Sequence, residues 1–140
     1  MTILRELLDK LHIGIVLVGN DDKILAFNKM AGEMLQQDPE DRIGTSIFRC
    51  HGEPSEEPVR KMLNDMRNGR MESYEGWVNF QGRILFEYIY PLPGPDGECH
   101  LVVEELHDAA EKVEYLKSIG EWELIHVSGV GEKAPRPPER

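Results

Sequence analysis

The sequence predicts an α+β domain, built on a five-stranded antiparallel sheet whose helices are inserted between strands two and three. Two apolar runs joined by the turn Gly19-Asn-Asp-Asp predict a hairpin over 14–27. Helical patterns fill the middle of the chain, and three further strand patterns follow. Because strand pairs flank a helical block rather than alternate with single helices, a parallel doubly wound sheet is disfavoured.

The helices are predicted from apolar spacing and capping residues. An N-terminal amphipathic helix over 1–12 is indicated by leucines and an isoleucine on one face. Asn28 is expected to cap the next helix, and Asp38-Pro39 to start a short one. A longer helix begins near Glu56, where two glutamates favour its positive end. Its predicted inner face carries Val59, Met62, Leu63 and Met66.

The second half of the chain supplies the remaining strands. Aromatic and β-branched runs predict strands near 74–80, 83–90 and 99–106, which complete a core over 13–107. Asp108 is expected to cap a charged helix over 108–119. Residues 120–140 are predicted to form an extension, disordered from Gly129 onward because of its proline-rich composition.

Composition narrows the class of protein. The 140 residues carry a formal net charge of −10, so nucleic acid is not an expected direct partner. No apolar run reaches transmembrane length, which leads us to expect a cytoplasmic protein without a membrane partner. Cys50 and Cys99 are too few for a disulfide framework or a four-cysteine metal site.

The order of elements resembles the PAS sensor family over about residues 5–118. The similar segments are Gly14-Ile-Val-Leu-Val, Ile24-Leu-Ala-Phe-Asn-Lys-Met-Ala, Arg42-Ile-Gly-Thr-Ser-Ile-Phe and Val103-Glu-Glu-Leu-His-Asp-Ala-Ala-Glu. This resemblance implies a sensory module with a small-molecule pocket between the sheet and its helices. It further implies that the helix over 108–119 is the signalling or output helix, and that the partners are a second copy of the chain, in a homodimer, and a downstream signalling protein or output domain.

A second resemblance lies in Arg49-Cys-His-Gly-Glu-Pro-Ser, which is similar to haem-binding, carbon-monoxide-sensing PAS regulators. It implies haem as a cofactor, with His51 as the axial iron ligand. Two departures are visible. Gly52 replaces the proline that usually follows the histidine, and the distal methionine falls near Gly76 or Trp77, neither of which ligates iron. Without haem, a histidine in such a turn caps backbone groups or lies in water.

Further cofactor-binding candidates are methionines and aromatic residues. Met62, Met66 or Met71 could supply a sixth iron ligand, and Trp77 and Phe86 could stack on a planar ligand. The alternative is that these side chains fill the core, which is the commoner role of methionine and of strand aromatics.

No catalytic motif stands out, so an enzyme is not expected. The sequence has no GxSxG, no HExxH and no phosphate-binding glycine loop. The function predicted is a sensory, signal-transducing module that binds a small ligand. The alternative is a ligand-free dimerisation domain whose pocket is filled by its own side chains.

Overall fold

A computed structural model describes residues 3–50, 56–80, 82–121 and 133–134, and it confirms the α+β fold. The elements in chain order are α1 (Ile3–Leu8), β1 (Gly14–Gly19), β2 (Ile24–Phe27), α2 (Lys29–Leu35), α3 (Pro39–Arg42), a 3₁₀ helix (Ile47–Cys50), α4 (Glu56–Arg67), β3 (Tyr74–Phe80), β4 (Arg83–Pro93), β5 (Cys99–Asp108), α5 (Ala110–Ser118) and β6 (Lys133–Ala134).

The sheet is antiparallel with the strand order β2-β1-β5-β4-β3-β6. Its first five strands are the five predicted ones, and the helical block lies between β2 and β3 as expected. The structure differs from the sequence prediction at Lys133 and Ala134, which form β6 inside the segment predicted to be disordered. Pro135 gives a local reason, because a residue that precedes proline is driven towards extended backbone.

Two predicted helix starts are confirmed by their side-chain hydrogen bonds. The Asn28 side chain accepts from the backbone N–H of Ala31, and that of Asp38 accepts from the N–H of Glu40. Asp108 differs slightly, because it is the last residue of β5 rather than the residue next to α5. Its carboxylate still accepts from the Ala110 N–H at 2.9 Å, and so satisfies one amide at the start of α5.

The sheet has apolar side chains on both faces. The inner face packs against α2, α4 and the 3₁₀ helix, and fourteen described residues are buried there: Val16, Val18, Ile24, Phe27, Ala31, Met34, Ile47, Val59, Leu63, Met66, Leu85, Ile89, Val102 and Leu106. The outer face packs against α5 through a smaller cluster: Trp77, Ile84, Phe86, Ala109, Val113 and Leu116. Helices therefore cover both faces at the β3–β4 side of the sheet.

Candidate functional site

One wall of the candidate site is α4. Val59, Leu63 and Met66 recur at helical spacing and are buried against the sheet, while Met62 on the flank of this stripe is only partly buried. The end of the helix is fixed by Arg67, whose guanidinium donates to the Asp22 carboxylate at 2.6 Å and to the Gly19 carbonyl at 2.7 Å. These two bonds hold α4 against the β1–β2 hairpin.

The other wall is β3, which the turn after α4 brings back alongside the helix. Gly69 has a φ of +75°, a left-handed conformation that glycine adopts without a steric cost. The backbone N–H groups of Arg70 and Met71 both donate to the Asp65 carbonyl, at 2.8 and 3.2 Å. The chain therefore reverses directly, and Tyr74 comes to lie opposite α4.

Between these walls lies a pocket of about 290 Å³, which we name the α4–β3 pocket. Its lining is mainly apolar and consists of Pro58, Val59, Lys61, Met62, Asp65, Met71 and Tyr74. At its polar side, the Asp65 carboxylate accepts hydrogen bonds from Lys61 at 2.7 Å and from Arg70 at 3.1 Å. These two bonds lower the pKa of Asp65 below its usual value, so the group is ionised at neutral pH.

The structure places the predicted site residues in different parts of the molecule. Met62 lines the α4–β3 pocket, and Met66 is 1% exposed in the inner core. Trp77 and Phe86 lie on the outer face beneath α5, with ring centroids 5.3 Å apart. The sheet separates the two pairs, so the four side chains do not line one cavity. His51 lies outside the described residues.

The described residues do not bring the remaining cysteine and histidine candidates together. Cys99 packs against the inner core, whereas the exposed imidazole of His100 donates to the Asp96 carboxylate at 3.0 Å. Within the described ranges, no three His, Cys, Asp or Glu side chains gather in a group able to hold a metal ion. No helix in these ranges has the length and apolar character needed to cross a membrane.

A hydrogen-bonded group on the outer face was not predicted from the sequence. The Glu105 carboxylate accepts from the Tyr90 hydroxyl at 2.6 Å and from the His107 Nε2–H at 3.0 Å. The Tyr90 ring also lies 4.9 Å from that of Tyr88. Strand alternation was the available signal, because residues 105 and 107 share one face of β5 and the register places Tyr88 opposite Glu105.

A buried carboxyl group on the inner face was also not singled out. Glu87 is 4% exposed and lies between Leu85 and Ile89 in the alternation of β4, all three facing the helices. Its neighbours in the ladder are Gly76 and Leu106. Glu104 shares this face, whereas Glu105 faces the other side, so the adjacent glutamates do not form a carboxylate pair.

The substitution Tyr90→Phe is expected to change how the free energy of unfolding depends on pH in the alkaline range. The hydrogen bond to Glu105, aided by burial, raises the pKa of Tyr90 to about 12. In the unfolded chain the phenol ionises near pH 10, so its contribution to folding is complete below pH 10 and is lost between about pH 10 and 12. We expect the free energy of unfolding of wild type to exceed that of Tyr90→Phe by about 1 to 2 kcal/mol at pH 8. This difference should vanish by pH 12.

Urea unfolding at a series of pH values measures this difference. Tyr115→Phe is the matched control, because Tyr115 is 59% exposed on α5. A Tyr90→Phe curve parallel to that of wild type across the alkaline range would contradict the prediction.

Comparison with known proteins agrees with this fold. A family model described as a PAS domain matches residues 4–109. A comparison with curated protein sequences gave no match. Similar solved structures include the C-terminal domain of a Streptococcus mutans protein, with a TM-score of 0.67 and 22% identity over 80% of this chain and 87% of the other.

Two further solved structures are similar to this chain. The sensory box sensor histidine kinase from Vibrio cholerae has a TM-score of 0.55 and 22% identity, over 76% of this chain and 89% of the other. The PAS domain of BvgS from Bordetella pertussis has a TM-score of 0.56 and 17% identity, over 84% and 91%. At these identities the structures show the fold alone. With the family model matching most of its length, this chain belongs to the PAS domain family, whose members are sensory modules typical of signal-transduction proteins.

Proposed function

We propose that this chain is a sensory module that binds a small apolar ligand in the α4–β3 pocket. The observation that carries the proposal is the pocket itself, whose volume is about 290 Å³ and whose lining is mainly apolar. A dry cavity of about 150 Å³ holds benzene. The α4–β3 pocket therefore suits a molecule of one or two rings. The thioethers of Met62 and Met71 and the ring of Tyr74 are suitable contacts for such a ligand.

The position of the pocket supports a sensory role, because one strand connects it to α5. Tyr74 lines the pocket, and Trp77, three residues along β3, packs on the opposite face against Val113 and Leu116 of α5. A ligand that displaces Tyr74 acts on the same strand that supports α5. This is a short physical route from a bound ligand to the C-terminal helix, which we assign as the output.

Haem is the ligand suggested by the resemblance around His51, and the α4–β3 pocket does not fit it. A porphyrin has four pyrrole rings, whereas this pocket suits one or two. His51 precedes α4 by five residues in the sequence and lies outside the described ranges. We therefore propose the smaller ligand and keep haem as an outcome of the test.

Indole is the probe for the proposed site. We expect the full chain to bind indole with a Kd of about 1 mM or tighter, as a ligand of this size can achieve. Met62→Trp, which fills the pocket, should weaken binding at least about tenfold, or by 1.4 kcal/mol. Glu57→Trp adds the same side chain on the exposed face of α4 and should leave binding unchanged. NMR titration of the two variants measures both values.

Three results would overturn this proposal. The first is that indole, added to saturation, shifts no resonance of the pocket residues. The second is that Met62→Trp binds indole as tightly as wild type does. The third result concerns hemin: a Soret band that His51→Ala abolishes would identify haem as the ligand and replace the smaller one.

We also propose that the module signals as a homodimer through α1. The Arg5 side chain pairs with Glu40, and just after the helix the Asp9 carboxylate accepts from the Lys29 N–H at 2.9 Å, whereas Glu6 is exposed. Two leucines of the helix are also exposed, Leu4 by 67% and Leu7 by 55%. A helix that polar contacts hold to the protein while its leucines stay exposed supports an apolar partner, and a second copy of α1 supplies one.

A groove beside α1 supports the same proposal. It has a volume of about 310 Å³, and its apolar walls include Leu4, Leu8, Leu25 and Ile43. Because a twofold interface uses the same patch twice, a leucine from each copy can enter the groove of the other. A ligand-free dimerisation domain is the second candidate function, and the fourteen side chains buried on the inner face favour it.

A further inference from the structure

The edge of β3 that faces away from β4 makes a contact that has no part in the proposed sensory function. β3 pairs with β4 along its whole length, from Tyr74 opposite Ile89 to Phe80 opposite Arg83. On its other side it pairs with β6, where Trp77 lies opposite Ala134 and Val78 lies opposite Lys133. The C-terminal segment thus adds a short strand to the middle of an edge.

The sequence around β6 is suited to a strand that pairs briefly and then stops. Pro135 drives Ala134 towards extended backbone. Pro135 has no N–H, so it cannot donate a hydrogen bond to a neighbouring strand directly after Ala134. Proline at an edge is one of the ways in which proteins prevent edge strands from pairing with other chains.

The chain is long enough for β6 to belong to the same molecule as β3. Eleven residues separate Glu121, just after α5, from Lys133, and this connection spans up to about 40 Å when extended. α5 packs on Trp77 of β3 through Leu116, so the C-terminal part of this helix lies close to the strand that β6 pairs with. No partner chain is needed to supply the strand.

We propose that the β3 edge is a docking site for an extended strand, and that the chain's own Lys133–Ala134 segment occupies it in cis. The kind of strand that fits has a small residue opposite Trp77. While the segment is docked, the edge at Trp77 and Val78 is closed to strands of other chains. When the segment is displaced, an extended peptide of the same pattern binds there in trans.

Amide hydrogen exchange in the full chain tests the proposal. Successive residues of a strand point their N–H groups to opposite sides, so one of Trp77 and Val78 donates towards β6 and the other towards β4. The same alternation applies to β6, so both of its residues are replaced: in Lys133→Pro/Ala134→Pro, which removes whichever N–H pairs with β3, we expect exchange of the amide facing β6 to accelerate about tenfold. The amide facing β4 is the internal control and should not change.

Further controls separate the docking from other effects. Pro138→Ala alters the chain four residues after Ala134 and should exchange as wild type does. A synthetic peptide of residues 128–140, at about millimolar concentration, should restore protection to the double-proline variant, while a scrambled peptide should not. Unchanged exchange in Lys133→Pro/Ala134→Pro would overturn the proposal. Protection in wild type that falls on dilution would also overturn it, because the strand would then come from a second copy.

Discussion

Replacing Asn28 with alanine is expected to lower the free energy of unfolding by roughly 3 kcal/mol. Asn28 is 2% exposed, and its side-chain oxygen accepts from the N–H groups of Ile15 and Ala31, both at 2.9 Å. Its side-chain nitrogen donates to the carbonyls of Leu8 at 2.8 Å and Ile13 at 3.0 Å. Alanine removes four bonds and leaves backbone groups from several elements without their partner.

The size of this effect follows from burial. Each buried polar group that loses its partner costs about 1 kcal/mol or more, and a domain of this size has a total stability of only about 5 to 15 kcal/mol. Asn28→Asp should also destabilise the fold, because a carboxylate cannot donate to the two carbonyls and its charge is buried.

Chemical unfolding monitored by circular dichroism measures the loss. Asn68→Ala is the matched control, because Asn68 is exposed and its side chain makes a single bond, to the Asn64 carbonyl. The control should remain within about 0.5 kcal/mol of wild type. If Asn28→Ala were also within about 0.5 kcal/mol of wild type, the four bonds would not hold α1, β1 and α2 together.

Leu7→Glu is expected to convert the proposed dimer to a monomer. In a twofold interface the substitution occurs twice, and each buried leucine contributes about 1.5 to 3 kcal/mol. The dimer Kd should therefore rise on the order of a hundredfold or more. Because Leu7 is 55% exposed within one chain, the fold of the monomer should be preserved.

Sedimentation analysis over a range of concentrations measures this change. Lys10→Glu adds negative charge to the exposed polar flank beyond the last residue of α1, so it is the control for a purely electrostatic effect. It should sediment as wild type does. A wild-type chain that is monomeric at about 100 µM, or a Leu7→Glu variant that remains dimeric, would exclude α1 as the interface.

The helix starts at Asn28 and Asp38 were predictable because capping depends on residues two or three positions apart. The other bonds of Asn28 were not, since Ile15 and Leu8 lie 13 and 20 residues away in sequence. An N-cap pattern indicates a helix start, and it does not indicate that the same side chain joins three elements. Only the folded chain brings those carbonyls to the amide nitrogen.

The sheet faces show a similar limit. β4 has apolar residues on both sides, with Leu85 and Ile89 inside and Phe86 outside, so alternation does not tell which side meets α4 and which meets α5. From the sequence, Trp77, Phe86, Met62 and Met66 were candidates to bind one cofactor, and strand alternation could not separate the two pairs. Their separation follows from where the two helices pack.

The amino-acid sequence alone determined the α+β class, the five predicted strands and the helical block between β2 and β3. These depend on local spacing, turns and caps, which act over a few residues. The tertiary structure decided the α4–β3 pocket, the exposure of Leu4 and Leu7 on α1 and the pairing of Lys133–Ala134 with β3. Each of these depends on contacts between segments that are far apart in the sequence. The packing energies that favour such contacts arise only in the folded chain.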